Sequence, residues 1–152
     1  MRQRGFEVAN DYLNQEMIMP ERSTQFSAGY DMFAAEDVII DPYKPGDKPT
    51  LVPTGVKAYM MDDEVLYLYN RSSNPKNRGL VLANGVGIID KDYYNNESND
   101  GLIYFAFYNI FDEVLLIRRG ETIGQAIFQK YLTVDNDISK GVRVGGFGST
   151  GK

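Results

Sequence analysis

Apolar positions along the chain fall in short runs: Val38-Ile39-Ile40, Val56 to Met60, Val65 to Tyr69, Leu80-Val81-Leu82, Leu102 to Tyr108 and Ala126-Ile127-Phe128. The runs are rich in β-branched and aromatic residues and are separated by clusters of Gly, Pro, Asn and Asp, the pattern of strands joined by turns. None keeps a helical period through three turns. Pro45-Gly46, Pro49, Pro53, Pro75, Gly79, Gly101 and Gly120 would cut any helix short. The pattern predicts an all-β fold, sandwich or barrel, with at most one short helix, near Asp62 to Glu64. No repeat or linker divides the chain, so residues 1–140 are expected to form one β domain, with 141–152 belonging to it.

That last segment, GVRVGGFGSTGK, carries five glycines and one aromatic, Phe147. It has too little apolar surface to order itself by burial. Two readings stay open: a terminus without fixed structure, or a lid that orders over a ligand.

Hydrophobic residues at 43% and charged residues at 24% describe an ordinary globular protein, so a packed core is expected. The missing residue types narrow the chemistry. With no Cys and no His, there is no thiolate nucleophile, imidazole base, catalytic triad or nitrogen-and-sulfur metal site. Acid and base work falls to Asp, Glu, Tyr or Lys, and a bound metal should be a hard cation on oxygen ligands, Mg²⁺ before others. Sixteen Lys and Arg against 21 Asp and Glu give a net charge of −5, which argues against broad nucleic-acid binding. No apolar run approaches the ~18 residues of a membrane span, and Met1 to Glu7 lacks the apolar stretch of a signal peptide. The expected location is cytoplasmic, away from membranes.

Several segments could carry chemistry. Gly146 to Gly151 fits a dinucleotide fingerprint, and with Lys152 most of a Walker loop. Both motifs need a following helix whose amides face the phosphate, and the sequence has none there. What survives is a Gly-rich strand able to wrap anionic oxygens. In Gly87-Ile88-Ile89-Asp90-Lys91-Asp92-Tyr93, two apolar residues lead into Asp90, placing a carboxylate at the end of a buried strand where it could act as a general base. An ordinary Asp-Lys-Asp turn is the competing reading. Asp92, two positions on, would face the other way if the strand continued. Ser27 to Met32 sets small residues around one acid, and Asn70-Arg71-Ser72-Ser73 sets a cation beside two hydroxyls.

Taken in order, these segments resemble the five motifs of the trimeric dUTPase family, of bacterial or phage type, from about Met19 to Lys152. The first is Ala28 to Met32, after Pro20 and Arg22, and the second is Arg71-Ser72-Ser73. The third is Gly87 to Tyr93, after Leu82 to Gly85. Gly120 to Gln125 is the fourth, and Arg143 with Gly145 to Gly151 the fifth. The resemblance implies a jelly-roll β fold, a homotrimer and Mg²⁺-dependent hydrolysis of dUTP to dUMP and pyrophosphate. By the same resemblance Asp90 activates the water that attacks the α-phosphorus, and Tyr93 packs under the deoxyribose and excludes a 2′-hydroxyl. Asn84, Gly87 and the backbone of the hairpin after Tyr93 belong to the uracil site. Arg71, Ser72, Ser73 and Gln125 hold the phosphates, and Asp31 reaches Mg²⁺ through water. Arg143, Gly148, Ser149 and Thr150 clamp the γ-phosphate while Phe147 covers the base.

The chain departs from the family pattern in four places. Tyr94 to Asp100 is about six positions longer than usual and, being rich in Asn and Ser, is expected to be an exposed loop. Thr122 stands where an Arg is usual, Arg143 lies one position nearer the glycine pair, and Pro75-Lys76-Asn77 is an unusual continuation of the second motif. Phage-type relatives can also bind regulatory proteins, and the long loop is where such a surface would be sought. Two rivals remain: a dCTP deaminase of the same fold, and a β-sandwich binding module without catalysis.

Overall fold

The computed structural model describes residues 1–143 and 145. Twelve strands carry the fold: β1 Gly5–Val8, β2 Glu21–Arg22, β3 Tyr30–Phe33, β4 Val38–Ile40, β5 Thr50–Pro53, β6 Val56–Tyr59, β7 Glu64–Asn70, β8 Leu80–Leu82, β9 Gly87–Ile89, β10 Tyr104–Asn109, β11 Leu115–Ile117 and β12 Thr122–Lys130. The all-β expectation holds. Among the described residues the single α-helix, α1, spans Asn74–Arg78 rather than Asp62 to Glu64, where Asp62 and Asp63 turn the chain into β7. Pro75 explains the placement: it sits in the first turn of α1, where its missing N–H costs nothing. The unusual continuation of the second motif is therefore a helix start.

Every named strand pairing is antiparallel, and the largest sheet runs β2-β3-β12-β7-β9. Alternation along the strands points one side chain in two inward, and Met32, Ile40, Val52, Leu66, Leu80, Ile103, Phe105, Phe107, Ile117 and Ile123 meet in one cluster drawn from all the sheets except β2's edge. A smaller cluster of Ala9, Tyr12, Ala35 and Leu102 lies beside it. Two buried charges are compensated. Glu64 accepts from Arg4 at 2.7 Å and from the Met61 amide at 2.8 Å, which holds its carboxylate below the usual range. Lys57 is paired with Asp100 at 2.9 Å.

The β12 strand is the hinge of the large sheet, with β3 on one side and β7 on the other. Its register shifts between Thr122 and Gly124, and Gly124 lies where a Cβ would stand 2.2 Å from the Phe105 ring and 2.8 Å from the Tyr69 carbonyl. Neither a ring packed in the core nor a ladder carbonyl can retreat cheaply. Gly124→Ala should therefore lower unfolding stability by roughly 1–3 kcal/mol in urea titration, and an unchanged midpoint would show that this close approach does not constrain the sheet.

Candidate active site

The candidate side chains form two groups on the chain. In the first, Asp31 on β3 stands opposite Gln125 on β12, which stands opposite Tyr69 on β7, and Glu21 on β2 extends the same row. Directly opposed residues share a sheet face, so one row carries two carboxylates and an amide. Gln125 lies over Gly29, where a Cβ would sit 2.2 Å from its Oε1, and its Nε2 donates to the Asn70 carbonyl at 3.4 Å. Arg71 follows β7 directly and donates to the Thr122 carbonyl at 3.3 Å. Ser72 is exposed, and half-buried Ser73 precedes α1.

Two asparagines hold this loop: Asn70, which opens the segment singled out in the sequence but is given no role there, and Asn74, which is not singled out. Asn70 Oδ1 accepts from the Arg71 amide at 2.9 Å and from Asn74 Nδ2 at 2.7 Å, while Asn74 also donates to the Ile123 carbonyl at 3.0 Å. Asn74 is fully buried, and its Oδ1 has no hydrogen-bond partner among the described residues. Their one signal was polar residues flanking a run of serines, which looks like any loop.

The second group gathers around Asp90, past the end of β9. The strand alternates instead of being buried throughout: Ile89 is 2% exposed and Ile88 is 62% exposed. It does not continue, because Lys91–Tyr93 forms a 3-10 turn. The turn brings Asp92 to the same side as Asp90, so the expectation of opposite faces fails. Both carboxylates accept from one guanidinium, Arg143 Nη2 to Asp90 and Nε to Asp92, each at 2.7 Å. Arg143 lies 5.7 Å from the centre of the Tyr93 ring. A cleft of about 340 Å³ opens here, lined by Asp62, Glu64, Asp90, Lys91, Asp92, Tyr131 and Arg143. A larger groove of about 640 Å³ along Asn14 to Ile18 and Arg119 holds none of the candidate side chains.

Tyr93 is 3% exposed. Its hydroxyl donates to the Leu102 carbonyl at 2.6 Å and accepts from Asn99 Nδ2 at 2.9 Å. Burial pushes the phenol's pKa up, and the Asn99 bond partly offsets the rise. Asn84 and Gly87 line a narrow crevice against Tyr104, Phe105 and Ala106, the strand after the hairpin. Phe147, Gly148, Ser149 and Thr150 lie outside the described residues.

The two groups do not meet on one chain. Ile89 pairs with Leu66 near the start of β7, and Arg71 follows its other end. Six residues of strand separate the level of Asp90 from Arg71, about 20 Å at the usual rise per residue.

The dUTPase family profile matches residues 15–151. The chain belongs to the dUTPase family. It is 51% identical to the deoxyuridine 5′-triphosphate nucleotidohydrolase of Lactococcus lactis over 99% of both chains. The crystal structure of the dUTPase from Streptococcus mutans is similar with a TM-score of 0.81 and 46% identity, over 87% of this chain and 99% of that one. The dUTPase from phage phi11 of Staphylococcus aureus, at 19% identity and a TM-score of 0.71 over 92% of this chain and 97% of that one, shares the fold. The architecture is the family's jelly roll, and the chain is an enzyme that hydrolyses dUTP. The deaminase and the non-catalytic module are thereby set aside. Among the described residues no helix is long and apolar enough to cross a membrane.

The Gly29 contact supplies a test of the first group. A Cβ at Gly29 would stand 2.2 Å from Gln125 Oε1, 3.1 Å from its Cδ and 3.2 Å from its Cβ, the three atoms nearest to it, so Gly29→Ala displaces Gln125 along its length, and folding should be little affected. Misplacing a substrate-holding group by an ångström costs roughly 10- to 100-fold in turnover. Steady-state hydrolysis of dUTP by Gly29→Ala should fall within that range at an unchanged melting temperature, and wild-type turnover would remove Gln125 from the site.

Proposed function

We propose that the enzyme is a homotrimer that cleaves dUTP between the α- and β-phosphates, with Asp90 as the general base. Water attacks the α-phosphorus, the bond to the α,β-bridging oxygen breaks, and the electron pair leaves with pyrophosphate. The water's proton passes to Asp90, and dUMP remains. The observation that carries this reading is the setting of Asp90: a rigidly placed, solvent-facing carboxylate at the rim of a cleft, in a chain with no His or Cys to take its role.

The separation of the two groups along β7 supports a site shared between copies, and the number three comes from the resemblance to the family. A site needing both the base and the phosphate-holding row can be completed by bringing the Asp90 group of one copy against the Arg71 and Gln125 group of another. A triphosphate adds about four negative charges to an acidic protein, so local cations must offset them. Arg71 and Arg143 are the ones placed to do so. Arg143 now neutralises Asp90 and Asp92 and covers the Tyr93 ring, the ground where the sugar would pack. Both of its partners are more than half exposed. The γ-phosphate, also an anion, can take the place of these carboxylates on the Arg143 guanidinium and free the base. Tyr93 then lies under the deoxyribose, Asn84, Gly87 and the β10 backbone face the uracil, and residues 141–152 cover the site as a lid of the same domain.

The donor set suits a metal that arrives with the substrate. Among the described residues no three carboxylates cluster as a cage, whereas Mg²⁺ commonly keeps several waters and binds through one or two carboxylates plus phosphate oxygens. Asp31, in its row with Glu21, would hold it through water. When bound, Mg²⁺ would neutralise phosphate charge.

Replacing the base with its near-isostere separates binding from chemistry. A positioned general base contributes on the order of 10²- to 10⁴-fold, so Asp90→Asn should lose that much turnover while its affinity for α,β-imido-dUTP changes little. Asp92→Asn is the companion variant, since both acids face the cleft. Loss of turnover in Asp92→Asn with activity retained in Asp90→Asn would overturn the assignment.

A further inference from the structure

The long segment after Tyr93 is expected from its composition to be an exposed loop, and it is not a free one. Asn95, Glu97 and Ser98 are exposed, but Asn96 is buried and Tyr94, Asn99 and Asp100 are half-buried. The segment is fastened at both ends. Tyr94 donates to Glu7 on β1 at 2.5 Å. Lys57, on β6 and only 6% exposed, donates to Asn95 Oδ1 at 2.5 Å and to both Asp100 oxygens at 2.9 and 3.0 Å, and Asp100 also accepts from the Asn10 amide at 2.8 Å. A buried ion pair contributes little net stability, because desolvation offsets its attraction. What it does contribute is a fixed geometry.

That geometry is spent on Tyr93. Asn96 Nδ2 donates to the Tyr93 carbonyl at 2.8 Å and to Asn99 Oδ1 at 2.7 Å, and Asn96 Oδ1 accepts from the Ser98 and Asn99 amides. Asn99, with its Oδ1 also taken by the Gly101 amide, is left with its Nδ2 aimed at the Tyr93 hydroxyl. The insertion therefore grips the tyrosine at its backbone and at the tip of its ring.

We propose that Asn99 is a positioning residue for sugar selectivity: its bond to the Tyr93 hydroxyl fixes the ring against the deoxyribose, and makes the segment from Tyr94 to Asp100 a specificity element anchored by Lys57. This rests on the reading above that Tyr93 packs under the sugar. A ring that excludes one hydroxyl group must not tilt, and a second hydrogen bond at its far end removes the remaining freedom to do so.

The test is the ratio of dissociation constants for α,β-imido-UTP and α,β-imido-dUTP, measured by calorimetry with Mg²⁺. Asn99→Asp keeps the acceptor that Asn96 and Gly101 use and turns the donor to Tyr93 into an acceptor, so the Tyr93 hydroxyl can no longer accept there while it donates to the Leu102 carbonyl. Tyr93→Phe deletes the same bond from the other side, together with the bond to the Leu102 carbonyl, so should Asn99→Asp fail to fold, an unchanged ratio in Tyr93→Phe still overturns the inference. One such hydrogen bond corresponds to a roughly three- to tenfold fall in the ratio, expected in both variants. The double variant should lose no more than Tyr93→Phe alone, since that change already removes the bond to Asn99. Glu97→Ala, in the exposed part of the segment, should keep the wild-type ratio. A wild-type ratio in folded Asn99→Asp or in Tyr93→Phe, or losses that multiply in the double variant, would overturn the inference alone. A wild-type enzyme that binds both analogues equally would remove the sugar-reading role of Tyr93, and this inference with it.

Discussion

The antiparallel register that holds β7 between β12 and β9 determines where Arg71, Gln125 and Asp90 lie relative to one another. Gln125 lies opposite Tyr69 and Ile89 opposite Leu66, so the row proposed to hold the phosphates and the proposed general base lie at opposite ends of one strand. A one-residue slip in either pairing would turn Gln125 or Ile89 to the wrong face. The register is in turn held by packing, with Leu66 and Leu68 buried beneath it and Gly124 admitting the Phe105 ring. Core packing, pairing register and site geometry are thus successive consequences of the same few residues.

Much of this was legible in the residues themselves. Runs such as Val65 to Tyr69 and Leu80 to Leu82 are strands because β-branched and aromatic side chains suit a pleated, half-buried surface. The five motifs gave the family. Strands of mixed character were not legible: β3 holds Tyr30 and Asp31 because its partner β12 supplies the pairing, which no local pattern displays. The turn at Lys91–Tyr93 reversed the expected facing of Asp92, since an alternation rule holds only while a strand continues. The segment after Tyr93 looked exposed because its anchor, Lys57, is 43 positions from Asp100 in the chain.

The electrostatics follow one theme, the management of negative charge on an acidic protein that takes a still more acidic substrate. Glu64 and Asp100 are buried or half-buried beside cations that have structural work. Asp90 and Asp92 are left at the surface, bridged by a single arginine from the end of the described chain. The first arrangement resists change because breaking it strands a buried charge. The second leaves both carboxylates more than half exposed on the cleft side, where the proposed exchange of Arg143 onto phosphate would take place.

In the proposed assembly, the Asp90 group and the Arg71 group that complete one site come from different chains. Asp90→Asn and Arg71→Ala subunits, each inactive alone, can be dissociated, mixed in equal amounts and reassembled before dUTP hydrolysis is measured. If each site takes the two groups from two copies in a closed symmetric assembly, about a quarter of the sites regain both intact groups, and activity should rise to about a quarter of wild type. Mixed assemblies no more active than the two parents would mean that both groups act from the same chain, and would contradict the account.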